Sequence, residues 1–419
     1  MTGLRTYEKY RTVKYDYVSQ LPVDWKLLPN IAIFQERIER GHVDKELLSV
    51  TIGKGVIRQA DVDIKKDGSN EDKSKYKLIN VGDIAYNKMR MWQGALGYSE
   101  YQGISSPAYV ILKPKLKINP RFFHYLFRSG FYTDYSKRFS YGIVDDQLSL
   151  RYTHFKRMYS IVPPLEVQNS IVAYLDKKNN EIDKFIRNKE RLIELLEEKK
   201  GIKVDNHIFN TRCLKSPLKF FCKMITDGSH FSPNILSEGM NYVSVTDVGK
   251  NDDLDLEKCK KISEYDFKAL ERNGCRPIKN DVLLTKDGTI GRAFLVKDRN
   301  DFVALSSLGI IRPNLKKVNP YLLRYLLTSP NCVSQMFSKI QGSALTRLTI
   351  GLIKNLEISI PIDLKEQDII VKDIDEDFKM INLAISKAQK EISSIKEYRE
   401  ALITDLVTGK RSIPEPQRI

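Results

Sequence analysis

The stretch "YNKMRMWQG", Tyr86 to Gly94, sets Lys88 and Arg90 in alternation with Met89 and Met91. As a strand, with side chains alternating between faces, it would put both cations on one side. Asn87, Gln93 and Trp92 beside them supply amides and a flat ring, groups that contact base edges or stack on bases. In "ITDGSHF" (Ile225–Phe231) a turn at Gly228 would present Ser229 and His230. In "KDGTIGR" (Lys286–Arg292) Lys286, Thr289 and Arg292 flank two glycines that permit close backbone approach to a phosphate. Lys54, Arg58 and Arg347 are further cations in basic loops. These residue types suit contact with phosphates and base edges rather than bond making. Ligand-free readings account for the same residues: a solvated edge strand with a core tryptophan, a simple loop and a plain hairpin.

Catalytic patterns are not found. A Pro-Pro-aromatic loop for an extruded base has its nearest match in "NPY" (Asn319–Tyr321), which lacks one proline and reads as a helix start. "VTGKRS" lacks the upstream glycine of a phosphate-binding loop and carries Arg411 where Ser or Thr would meet Mg²⁺. Asp281 and Asp287 have no preceding acid at metal-binding spacing, and Asp287-Gly288 reads as a turn. His42, His124, His154, His207 and His230 form no H-E-x-x-H set. The five cysteines (Cys213, Cys222, Cys259, Cys275, Cys332) contain no C-x-x-C pair. That speaks against a disulfide framework or zinc site and predicts a reducing, cytoplasmic setting. No run of 18 apolar residues and no signal-peptide core occur, so no membrane association is expected.

The 419 residues suffice for two ordinary domains, and the formal net charge is +16. The distribution of that charge is uneven: +10 over residues 1–160, 0 over 161–210, +8 over 211–360 and −2 over 361–419. Two separate basic blocks predict two surfaces facing a polyanion, most simply nucleic acid. Between and after them the sequence repeats itself. "PPLEVQNSIVAYLD" from Pro163 and "PIDLKEQDIIVKDID" from Pro361 both place a glutamine (Gln168, Gln367) before an amphipathic run, 199 residues apart. Apolar residues then recur at heptad spacing: Val172, Leu175, Ile182, Ile186, Ile193 and Leu196, with Asn179 and Lys189 in the same seam. The second seam reads Val371, Ile374, Phe378, Ile381, Ile385, Ala388, Ile392 and Ile395. Such spacing predicts two long helices that pair as a coiled coil.

The basic blocks echo each other as well. "KLKINPRFFHYLFRS" parallels "LKKVNPYLLRYLLTS", with Asn-Pro starting a helix and Tyr125 matched to Tyr325, while Gly142 matches Gly342. The chain therefore reads as an internal duplication of class α+β. Two similar β-rich domains are separated by two long antiparallel spacer helices, under pseudo-twofold symmetry that sets the domains at opposite ends of a rod. The divisions fall at 1–162, 163–210, 211–361 and 362–419. Gly201, with Lys203 and His207, replaces Glu400, Leu402 and Leu406 of the second helix, which predicts a frayed or bent end to the first.

This arrangement resembles the specificity (S) subunit of type I restriction–modification enzymes across essentially the whole chain. The carrying residues are "VPPLEVQNSIVAYLD", "EYREALITDLVTGK" (Glu397–Lys410), "GDIAYNKMRMWQGALGY" with "GISSPAY", and "TDGSHFSP" with "KDGTIG". The resemblance implies a noncatalytic subunit in which each target-recognition domain reads one half of a split site in double-stranded DNA. The helices would fix the gap and dock two methyltransferase subunits, which restriction subunits can join. S-adenosylmethionine, ATP and Mg are then expected on those partners, and no cofactor or metal on this chain. Two other readings stay open: a self-sufficient methyltransferase or nuclease, and a coiled-coil scaffold whose basic domains bind other nucleic acid or protein.

Overall fold

The computed structural model describes residues 4–15, 17–62, 72–142, 148–209, 211–248, 254, 256–296, 301–338 and 347–413. Gly342 lies outside them. Two compact units are present, one of residues 1–188 with 390–419 and one of residues 189–389. Both long helices, Leu165–Phe209 and Leu364–Val407, pass from one unit into the other.

The first unit is centred on a four-stranded antiparallel sheet in the order Phe34–Glu36, Tyr109–Pro114, Ile84–Asn87, Leu96–Tyr98. The second repeats that order with Cys222–Asp227, Leu308–Pro313, Val282–Thr285, Ala293–Leu295. The register repeats too: Leu112 faces Ile84, and Ile311 faces Val282. Each unit then adds the helix announced by Asn-Pro, Pro120–Arg128 or Pro320–Thr328. Proline fits the first turn, where its missing N–H has no intrahelical partner anyway. The preceding asparagine caps the turn, Asn119 accepting from the N–H of Arg121 and Asn319 from that of Tyr321.

The repeated glutamine has a structural use. Gln168 is buried; its Oε1 accepts from the Asn119 N–H at 2.9 Å and its Nε2 donates to the Pro163 carbonyl at 2.8 Å. Gln367 repeats both bonds with Asn319 and Pro361, and also donates to the Lys317 carbonyl. A second tie joins Tyr125 to Asp176 and Tyr325 to Asp375. The start of each long helix is thus clasped to the Asn-Pro helix of the domain before it.

The far end of the other long helix completes each core. Leu402, Leu406 and Val407 lie in the first core with Trp25, Phe122 and Leu175. Val204 and Ile208 lie in the second with Ile370, Val371 and Ile374. Within each unit the two helix segments run antiparallel, with Arg399 paired to Asp183 in the first and His207 to Asp377 in the second. The expected fraying at Gly201 does not occur, because helix continues to Phe209. A Cβ on Gly201 would stand 2.6 Å from Pro330 Cδ, so the glycine admits a proline against the helix.

Candidate nucleic-acid interface

The strand Ile84–Asn87 stops where the chemistry begins. Lys88 to Arg90 form a turn and Met91 to Gln93 a single 3-10 turn, so the expected face of alternating cations does not form. The Asn87 side chain accepts from the Met89 N–H at 3.0 Å, which bends the chain away from the sheet. Met91 enters the core while Met89, Arg90 and Gln93 are exposed. The Trp92 indole donates to the Met89 carbonyl, and Lys137 lies over its ring at 5.0 Å. The tryptophan is partly exposed rather than a core residue.

Sequence reasoning missed the residue that gathers this surface. Arg128, at the end of the Asn-Pro helix, donates to four backbone carbonyls: Gly94 (3.3 Å), Leu96 (2.9 Å), Ile52 (2.7 Å) and Gly53 (2.8 Å). It thereby holds the turn bearing Lys54 beside the turn bearing Asn87 to Gln93. Arg58 lies on the same hairpin as Lys54, 4.9 Å above the Tyr101 ring and 3.5 Å from Glu46. The repeat has Thr328 at the place of Arg128, but Tyr321 and Arg324 likewise replace Arg121 and His124, so the mismatch does not single out its role.

In the second unit an anion does the gathering. Asp227 Oδ2 accepts from Lys286 Nζ at 3.0 Å and contacts His230 Nε2 at 2.8 Å. The motifs "TDGSH" and "KDG", nearly 60 residues apart, meet at this carboxylate. The Lys286 side chain is only 3% exposed, so the expected presented cation is a buried counter-ion. Ser229 is also buried, its hydroxyl bonded to the backbone of Phe231, whereas the His230 side chain is 63% exposed. Arg347, exposed, pairs with Asp287 at 3.1 Å. Thr289 is exposed next to Gly288 and Gly291, both at positive φ, which a non-glycine residue would adopt only with strain. The Arg292 backbone N–H donates to Thr285 Oγ1, and its guanidinium reaches the Val248 carbonyl at 3.4 Å.

Lys88 and Lys286 are equivalent residues of the duplication. The N–H of Lys88 donates to Ala108 and its carbonyl accepts from Leu150; Lys286 makes the matching bonds with Ser307 and Leu348. Their side chains differ in state. Burial, then the neighbouring Lys77, lowers the pKa of the half-buried Lys88 ammonium below the ordinary lysine value. Among the described residues no group of three or more His, Cys, Asp or Glu is arranged to hold a metal, and no helix is long and apolar enough to cross a membrane.

Residues 223–396, which include the Asp227 cluster, match the family model described as the type I restriction modification DNA specificity domain. The specificity subunit of the type I restriction enzyme EcoBI from Escherichia coli is 27% identical over 195 residues, which are 42% of this chain and 40% of that protein's length. The chain's match thus spans less than half of that relative. Two solved structures share the fold of nearly the whole chain. One, from a study of complex assembly and conformational transition of the type I R-M system, has a TM-score of 0.69 with 15% identity, over 93% of this chain and 99% of that one. The other, the HsdS subunit from Thermoanaerobacter tengcongensis, has a TM-score of 0.51 with 17% identity, over 95% and 99%. The likeness to type I specificity subunits read from the sequence therefore stands, as does the α+β duplicated fold.

Proposed function

We propose that this chain is the noncatalytic sequence-reading subunit of a type I restriction–modification complex, each domain reading one half of a split site in duplex DNA. The observation that carries this reading is the repetition. The unit matching the DNA specificity domain has a twin of the same strand order, and each twin gathers polar and charged side chains around the turn after the equivalent strand, Ile84–Asn87 or Val282–Thr285. Two copies of one reader on one chain suit a target in two parts. The helices set the length of the unread gap and dock two methyltransferase subunits, with restriction subunits joining them. S-adenosylmethionine, ATP and Mg belong to those partners. The reading is tested by mapping methylation genome-wide in a host with and without the chain. A bipartite motif that disappears with the chain is expected. Unchanged methylation, or methyl transfer by the purified chain alone, overturns it. Equal binding of split-site and unrelated duplexes would favour a scaffold with nonspecific basic domains.

A further inference from the structure

The first residues of the loop after strand Cys222–Asp227 are fixed by backbone hydrogen bonds. Gly228 donates to the Leu308 carbonyl, and a Cβ there would stand 2.3 Å from the Ala304 and Leu305 carbonyl oxygens. Ser229 donates to Ala304 and accepts from Ser306, while Phe231 receives the Ser229 hydroxyl and the Tyr242 phenol at its carbonyl. Between these anchored residues His230 projects outward, and the Phe231 ring beside it is 60% exposed. The imidazole is held at Nε2 by Asp227, whose charge is balanced by the buried Lys286. With Nε2 committed, Nδ1 is the atom left to face a ligand: an acceptor when the ring is neutral, a donor when it is protonated. A loop tied by its own hydrogen bonds and presenting one oriented polar atom beside an exposed aromatic is a preorganised contact.

We propose that His230 is a DNA-contacting residue of the second reader, that Asp227 positions it, and that Lys286 acts as counter-ion to Asp227 rather than on DNA. The lysine that in the first unit is half-buried at the turn has in the second been drawn inward, and an exposed histidine stands in the neighbouring loop. This assignment rests on the DNA-reading function proposed above.

The test uses the full chain with its co-expressed partners and a randomised duplex pool, followed by binding of the selected duplex at several salt concentrations. Without His230, in H230A, affinity is expected to fall about tenfold, within the range of one lost polar contact to DNA. A preference lost at one position of one half-site means a base edge. Weakening of all sequences alike, with a salt slope smaller by about one, means a phosphate. D227A is expected to match H230A, and the double variant to be no weaker than either single one. Because D227A leaves Lys286 buried and unpaired, D227N/K286M is the second arm. It removes both charges, keeps an oxygen facing Nε2, and is expected to bind within about threefold of the unaltered chain, since neutral replacements of a buried pair are often tolerated. Unchanged affinity, motif and salt slope in H230A overturn the contact. Additive losses from D227A and H230A, or a tenfold loss in D227N/K286M, overturn the positioning. If the unaltered chain selects no motif, the reading function itself fails, and this assignment with it.

Discussion

Arg128 and Asp227 solve one problem with opposite charges. Loops far apart in sequence must be held together at the end of a small sheet, and a central ion with several partners does this more firmly than a neutral pair. R128A is expected to destabilise the first unit by about 1.5–3 kcal/mol, the usual scale for a lost charged hydrogen bond, and to weaken discrimination at one half-site while sparing the other. Chemical denaturation and site selection read the two effects. His124 supplies a pH signature. Its Nδ1 accepts from the Tyr98 N–H, and burial, then the charges of Arg128 and Arg121, lower its pKa from 6.5 to about 3. The native state therefore refuses a proton that the unfolded chain takes up. The stability contributed by neutral His124 is complete above pH 6.5 and is lost as pH falls from there toward 3. Denaturation followed against pH is expected to show a shallower acid loss in H124Q than in the unaltered chain. None of these roles was legible in the sequence. Arg128 and His124 look like the polar face of a helix, and Asp227 looks like a turn residue, until the strands bring their partners in.

The helical elements were legible because their causes are local. Asn-Pro starts and heptad spacing act within a few residues, and the structure has the helices there. Gly201 was not legible, because its reason lies about 130 residues away in Pro330. Two effects compete in G201A. Helix propensity favours alanine by about 1 kcal/mol, but the methyl would press on a rigid proline ring at 2.6 Å. Overpacking typically costs about 1–3 kcal/mol, so net destabilisation of the second unit is expected. G201A/P330A should then be more stable than G201A alone; the reverse order in thermal unfolding would show that the contact is slack. The turn after Asn87 was hidden from the sequence for a related reason. Alternating Lys-Met-Arg-Met fits a strand by period, but the Asn87 side chain bonds to the next turn and ends the sheet there. Q168A tests the clasp at the helix start. It strands the half-buried N–H of Asn119 and the buried carbonyl of Pro163, and a loss of about 1–3 kcal/mol is expected.

On the scale of the whole molecule, the proposed function makes the long helices a ruler. Four residues inserted near Leu192–Leu196 add about 6 Å and slightly more than one turn, which roughly keeps the apolar seam in phase. Such a variant is expected to retain both half-site sequences and lengthen the unread gap by one or two base pairs, given about 3.4 Å per pair. Two inserted residues rotate the seam by about 200° and should abolish activity. An active four-residue variant with its original gap would sink the ruler. The way the units are closed bears on their order of birth. The core of residues 189–389 is encoded without interruption, while the core around Trp25 needs Leu402, Leu406 and Val407, and Arg5 pairs through its backbone with Ser412. On a ribosome, the domain made first is therefore finished last. Until residues 402–407 emerge, its apolar groove for the returning helix stands open, and a chaperone or a neighbouring nascent chain has time to find it before that helix arrives.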